Sequence, residues 1–174
     1  MKIIAHRGFS SLYPENTMLA FKKAFEMGVY AIELDVHLSK NKELIIIHDE
    51  KIDRTSDGSG FIKDHSLEEL QKYSFSYNKN FENIKISDID EYFSYFKDKD
   101  IITNIEVKTN VIEYNNIEKL LMGKIYAYGL VDKIIISSFN LNSLKKIREI
   151  DTEIPLAYLT SKKVDNIKNL CKDL

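Results

Sequence analysis

The sequence holds a single cysteine, Cys171, which excludes an intrachain disulfide and fits a reducing compartment. It has no excess of either charge. Its 25 Lys and Arg stand against 27 Asp and Glu, a net charge of −2, so no basic footprint argues for nucleic acid. No apolar run approaches the ~20 residues that cross a bilayer. The three apolar residues between Lys2 and His6 are too few for a signal-peptide core. Internal repeats and low-complexity segments are also missing. These absences lead us to expect a soluble cytoplasmic protein without a transmembrane segment or a nucleic-acid partner. The 174 residues, 44% hydrophobic and 30% charged, suffice for one domain (1–174) with a real core.

What is present is a set of short polar motifs set on hydrophobic runs: His6-Arg7-Gly8, Glu33-Leu34-Asp35, His48-Asp49 and Glu106-Val107-Lys108. The runs predict strands at about residues 3–6, 31–38, 44–48, 101–108, 134–139 and 156–160, with Lys40-Asn41-Lys42 a hairpin-like exit from the second. Between them the spacing predicts helices at about 17–27, 88–96, 114–128 and 140–150, and a short one opened by the capping box Ser66 to Glu69. A last helix carries Val164, Ile167, Leu170, Cys171 and Leu174 at helical spacing. Strand–helix alternation predicts an α/β fold with a parallel sheet and right-handed crossovers. The site of such a fold lies at the carboxyl ends of the strands, where these motifs fall.

On a strand, residues two apart share a face, so Glu33 and Asp35 point inward together while Ile32, Leu34 and Val36 face helices. Two inward carboxylates repel each other and resist desolvation unless a cation sits between them, and Glu106 offers a third oxygen ligand. An all-oxygen set suits one hard divalent cation, Ca²⁺ or Mg²⁺. The other reading is a metal-free ion network with Arg7 and Lys108. His6 and His48, at two strand ends, are suited to proton transfer in an in-line displacement at phosphorus. Arg7 and Lys108 are candidates for the phosphate oxygens. Asn16 either caps the first helix or bonds within the site, and Glu15 is open in the same way. Asp49 either bonds a neighbouring histidine or opens a turn. His37 shares the parity of the carboxylates, so it could line the barrel, and is assigned a peripheral role where the strand ends. His65, just before the capping box, is expected at the surface.

Together with Pro14-Glu15-Asn16-Thr17, Arg54-Thr55, Asp57-Gly58, Asn104-Ile105 and Ser137-Ser138-Phe139, these motifs stand in an order that resembles the glycerophosphodiester phosphodiesterase family, from Ile3 to about Leu159. The resemblance implies a TIM-type (β/α) barrel with a short insertion at about 50–100. It implies His6 and His48 as acid/base pair, Glu33, Asp35 and Glu106 as holders of the cation, and Arg7 and Lys108 on the phosphate, with Glu15 and Asn16 shaping the site. The implied reaction is hydrolysis of a glycerophosphodiester to sn-glycerol 3-phosphate and an alcohol, by water or by the substrate's own hydroxyl. Alternatives are a lysophospholipase D-like activity on lipid diesters, or a non-catalytic fragment that binds phosphate ligands. The chain departs from the pattern in one respect. About six of the eight strands of such a barrel are found, which leads us to expect a C-terminally incomplete barrel, or a homo-oligomer covering the open edge.

Overall fold

The structure, a computed structural model, describes residues 1–76 and 80–163. The helix expected around Val164 to Leu174 lies outside the described residues. In chain order the elements are β1 (Ile4–His6), α1 (Met18–Glu26), β2 (Ala31–Leu38), β3 (Leu44–Ile46), α2 (Leu67–Leu70), α3 (Ile89–Phe96), β4 (Ile102–Val107), α4 (Ile117–Tyr128), β5 (Ile134–Ser138), α5 (Leu141–Ile150) and β6 (Leu156–Tyr158).

Five strands form one parallel path, β1-β2-β4-β5-β6, and the sixth, β3, pairs with β2 alone. The path keeps chain order, with a helix on each crossover from β1 to β2, β4 to β5 and β5 to β6, as a (β/α) barrel requires. Among the described residues the strand count is as expected, and β3 departs from the parallel sheet in keeping with the hairpin-like exit at Lys40-Asn41-Lys42. It returns antiparallel along β2, with Val36 opposite Ile46 and Leu38 opposite Leu44. The five residues between the two strands, with Lys42 at positive φ, are too few for a parallel crossover.

The main core fills the outer face of this sheet. Ile32, Leu34 and Val36 of β2 and Ile105 and Val107 of β4 pack against Phe21 of α1, Tyr92, Phe93 and Phe96 of α3, and Leu121 and Ile125 of α4. This is the parity read from the sequence. A second, smaller core joins Ile45, Ile47, Ile52, Ile62, Leu70, Phe75 and Ile86. Helix α3 takes no part in this second core, since its apolar face belongs to the main one.

Caps explain most helix ends. Thr17 accepts from the Ala20 N–H, Asp88 from Glu91 and Asn140 from Asn142, and Ser66 and Glu69 form the reciprocal capping box. Helix α4 begins three residues later than the apolar spacing suggests, because Asn116 sits in the left-handed region at φ 66°. Tyr114 is thereby left in the preceding loop, where it is buried.

Candidate active site

The position of β3 brings the two histidines together. β4 occupies one side of β2 from Ala31 to Val36, so β1 and β3 must share the other side. β1 runs up that side to the pairing of His6 with Glu33. β3 runs down it until the Ile47 N–H donates to the Asp35 carbonyl. His6 and His48 thus approach each other end to end, over the stretch of β2 that bears both carboxylates.

Glu106 stands beside Asp35 in register on β4. One oxygen from each of Glu33, Asp35 and Glu106 lies within 4.8 Å of the others, and all three residues are buried. Burial, with the Asp35 charge beside it, pushes the Glu33 carboxyl well above its ordinary range. Asp35 is pushed up by burial and by Glu106, against a hydrogen bond from Asn16.

The ion network expected as the second reading is present but incomplete. Lys108 Nζ lies 2.8 Å from Glu106 Oε1 and 3.7 Å from Asp35 Oδ1, and Arg7 Nε lies 3.6 Å from Asp35 Oδ2. Two cations thus face three carboxylates, and the buried Asp35 Oδ1 receives no hydrogen bond. An ion that binds oxygen at roughly 2.0–2.6 Å holds ligands up to about 5 Å apart, so the triad has the size and chemistry of a hard-cation cradle.

The loop after β1 supplies the remaining residues. Arg7, at φ 56°, turns its N–H to Glu33 Oε2 at 2.8 Å and its guanidinium to Glu15 Oε1 at 3.0 Å. Asn16, at φ 55°, is buried and donates to Asp35 Oδ2 at 2.9 Å. Its side chain serves the site, because Thr17 is the residue that caps α1. Non-glycine residues at positive φ are costly and gather where a site over-determines the backbone.

Asp49 turns out to bond His48. His48 Nδ1 donates to Asp49 Oδ1 at 2.6 Å. Since an ionised carboxylate only accepts, Nδ1 carries a proton in this bond, which leaves Nε2 as the ring nitrogen available for proton transfer. Arg54 then clamps Asp49 with Nε at 2.6 Å, and reaches across to Glu15 with Nη2 at 2.7 Å and Nη1 at 3.0 Å. Burial works to raise the Asp49 carboxyl, but the bonds from Arg54 and His48 outweigh it and hold it at about 2. Glu15 is likewise held low by Arg54 and Arg7 in spite of its burial. A continuous chain, His48–Asp49–Arg54–Glu15–Arg7–Asp35, therefore runs around the site.

All nine residues expected at the site converge: His6, Arg7, Glu15, Asn16, Glu33, Asp35, His48, Glu106 and Lys108. His6 is the most open, with its side chain 67% exposed and Nε2 3.9 Å from Glu33 Oε2. Partial burial and the adjacent Arg7 charge hold its pKa below the ordinary value.

Arg54, which the sequence shows only as part of the Arg54-Thr55 motif, joins the site through its bonds to Asp49 and Glu15. His37 is fully buried, bonded to the His48 carbonyl and the Tyr114 hydroxyl, and burial lowers its pKa to about 4. His65 is half-buried rather than exposed, with its ring against Tyr73 and Nδ1 bonded to the Phe61 carbonyl.

Residues 6–171 match the model of the glycerophosphoryl diester phosphodiesterase family. A glycerophosphodiester phosphodiesterase of Caldanaerobacter subterraneus subsp. tengcongensis is 42% identical over 159 residues, covering 90% of this chain and 65% of that protein. One from Bacillus subtilis is 31% identical over 176 residues, covering 92% of this chain and 59% of its own length. The chain thus spans a little under two thirds of these relatives. Among solved structures, a glycerophosphodiester phosphodiesterase from Agrobacterium tumefaciens matches with TM-score 0.80 and 26% identity over 90% of this chain and 65% of that one. An Oleispira antarctica phosphodiesterase, solved with the product sn-glycerol-3-phosphate, matches with TM-score 0.82 and 24% identity over 99% and 72%, which shows a shared TIM-barrel fold.

Proposed function

Since this chain belongs to the glycerophosphoryl diester phosphodiesterase family, we propose that its site hydrolyses glycerophosphodiesters to sn-glycerol 3-phosphate and an alcohol. The observation that carries this reading is the meeting of His6 and His48 over a buried three-carboxylate cradle flanked by Arg7 and Lys108. The names of the relatives at 42% and 31% identity support the substrate class.

Glu33, Asp35 and Glu106 would hold one hard divalent cation, Ca²⁺ or Mg²⁺. When bound, it supplies positive charge against the phosphoryl oxygens. Arg7 and Lys108 add fixed positive charge beside the cradle, preorganised by Glu15 and Glu106. His48, its ring fixed by the bond from Nδ1 to Asp49, is placed to deliver a proton from Nε2 to the leaving alkoxide. His6, held toward its neutral form, suits the task of taking a proton from the nucleophile, whether water or the substrate's own hydroxyl.

The test is release of glycerol 3-phosphate from glycerophosphocholine and glycerophosphoethanolamine, with Ca²⁺, Mg²⁺ or a chelator, beside His48→Ala. We expect turnover that needs the cation and falls by about 10²–10⁴-fold in the variant, the span that a positioned acid or base contributes. A folded chain that binds glycerol 3-phosphate but turns over none of these diesters would overturn the reading.

A further inference from the structure

Asp49 fixes the ring of His48, but its main chain lies past the end of the sheet. The last ladder bond of this segment is the one from Ile47 N–H to the Asp35 carbonyl, and the chain then turns away. His37 takes over at that point. Its Nε2 lies 3.0 Å from the His48 carbonyl oxygen. A carbonyl only accepts, so the proton of the His37 ring is on Nε2, and Nδ1 of the neutral ring is left as an acceptor. The Tyr114 hydroxyl, 3.0 Å from Nδ1, is then the donor. The two rings meet edge to face at 5.7 Å and 83°. Each hydrogen bond thus sets the direction of the next, from Tyr114 through His37 to His48.

The placement of the pair adds to this. His37 is two residues beyond Asp35 on the same face of β2, so it is carried by the strand that carries the cation cradle. Tyr114 stands in the loop that leaves β4 just after Lys108, and α4 opens only after Asn116. The relay therefore ties His48 both to the cradle and to the loop next to Lys108.

We propose that His37 and Tyr114 are a positioning pair that holds the His48 main chain and so aims its Nε2 at the leaving oxygen. The inference rests on the reading of His48 as a proton-transfer residue. Neither residue of the pair touches substrate.

Three variants test it: Tyr114→Phe, which removes one hydroxyl and keeps the ring, His37→Phe, which keeps a ring and removes both bonds, and His37→Gln, which retains an amide donor. We expect Tyr114→Phe and His37→Phe to lower kcat by about five- to tenfold, the worth of one buried hydrogen bond, with KM unchanged within about twofold. His37→Gln should recover most of the loss at a Tm no higher than that of His37→Phe. The ¹⁵N and ¹H signals of the His48 ring should move in the same order, while cation affinity stays constant.

Folded Tyr114→Phe protein with native kcat and native His48 ring signals would overturn the proposal. So would equal loss in His37→Gln and His37→Phe. If the native chain shows no turnover, the reading of the site as a phosphodiesterase fails separately. The His48 ring signals, which need no substrate, then decide the pairing alone.

Discussion

At the scale of single residues, charge placement governs both stability and chemistry. Arg54 holds Asp49 and Glu15 below their ordinary values. A carboxyl depressed in the folded state contributes stability above its unfolded pKa and loses it as pH falls through the folded one. For Asp49 that window runs from 3.8 down to about 2. Arg54→Ala should therefore be less stable than the native chain at pH 5–7, and the gap should close as the pH approaches 2 in urea melts. A gap independent of pH would show that Arg54 acts by packing alone. The cradle carries the opposite sign, since its three buried carboxylates repel one another. Glu33→Gln should raise the Tm of the metal-free protein and abolish the gain that Ca²⁺ or Mg²⁺ gives the native chain. That gain corresponds to about 2.7 kcal/mol at a hundredfold excess over Kd. Calorimetry with and without chelator reads both.

At the scale of elements, the first βα connection is the tightest part of the site. Gly8 lies at φ 76°, and a Cβ there would stand 2.8 Å from the Ala20 carbonyl carbon in α1. Its neighbour Arg7 must present an N–H to Glu33, so the loop cannot swing away without uncovering the cradle. Gly8→Ala should lower stability by about 1–3 kcal/mol and weaken cation binding in parallel, as measured by denaturant melts and titration calorimetry. An unchanged cation affinity would separate the loop from the cradle.

Much of this was legible in the sequence. Parity along β2 and β4 placed the three carboxylates inward and the isoleucines outward, and the capping box from Ser66 to Glu69 marked the start of α2. What was not legible depended on neighbours distant in the chain. Asn16 and Thr17 are both competent caps, and only the position of Asp35 decides which one is spared for the site. The place of His37 follows from Tyr114, 77 residues away.

At the scale of the whole molecule, the described residues leave two strand edges unpaired, since β1 pairs only with β2 and β6 only with β5. Beside β1 lies a groove of about 360 Å³ with an apolar lining that includes Ile3, Ala5, Phe9, Met27 and Val29, and Ile3 and Met27 are 52% and 68% exposed. An apolar groove next to a free edge favours association. The 174-residue chain should therefore self-associate in light-scattering measurements. Ile3→Lys with Met27→Lys should shift it to monomer and leave the cation-induced rise in Tm in place. A native chain that stays monomeric at high concentration would refute this.

The sharing of one side of β2 by β1 and β3 divides the support of the site. The cradle is built from β2 and β4, whereas His48 arrives on a segment joined to β2 over three residue pairs and backed by its own small core. The segment that brings His48 to the site therefore rests on packing of its own, apart from the core that backs β2 and β4, so a substitution in the small core should disturb His48 before it disturbs the three carboxylates.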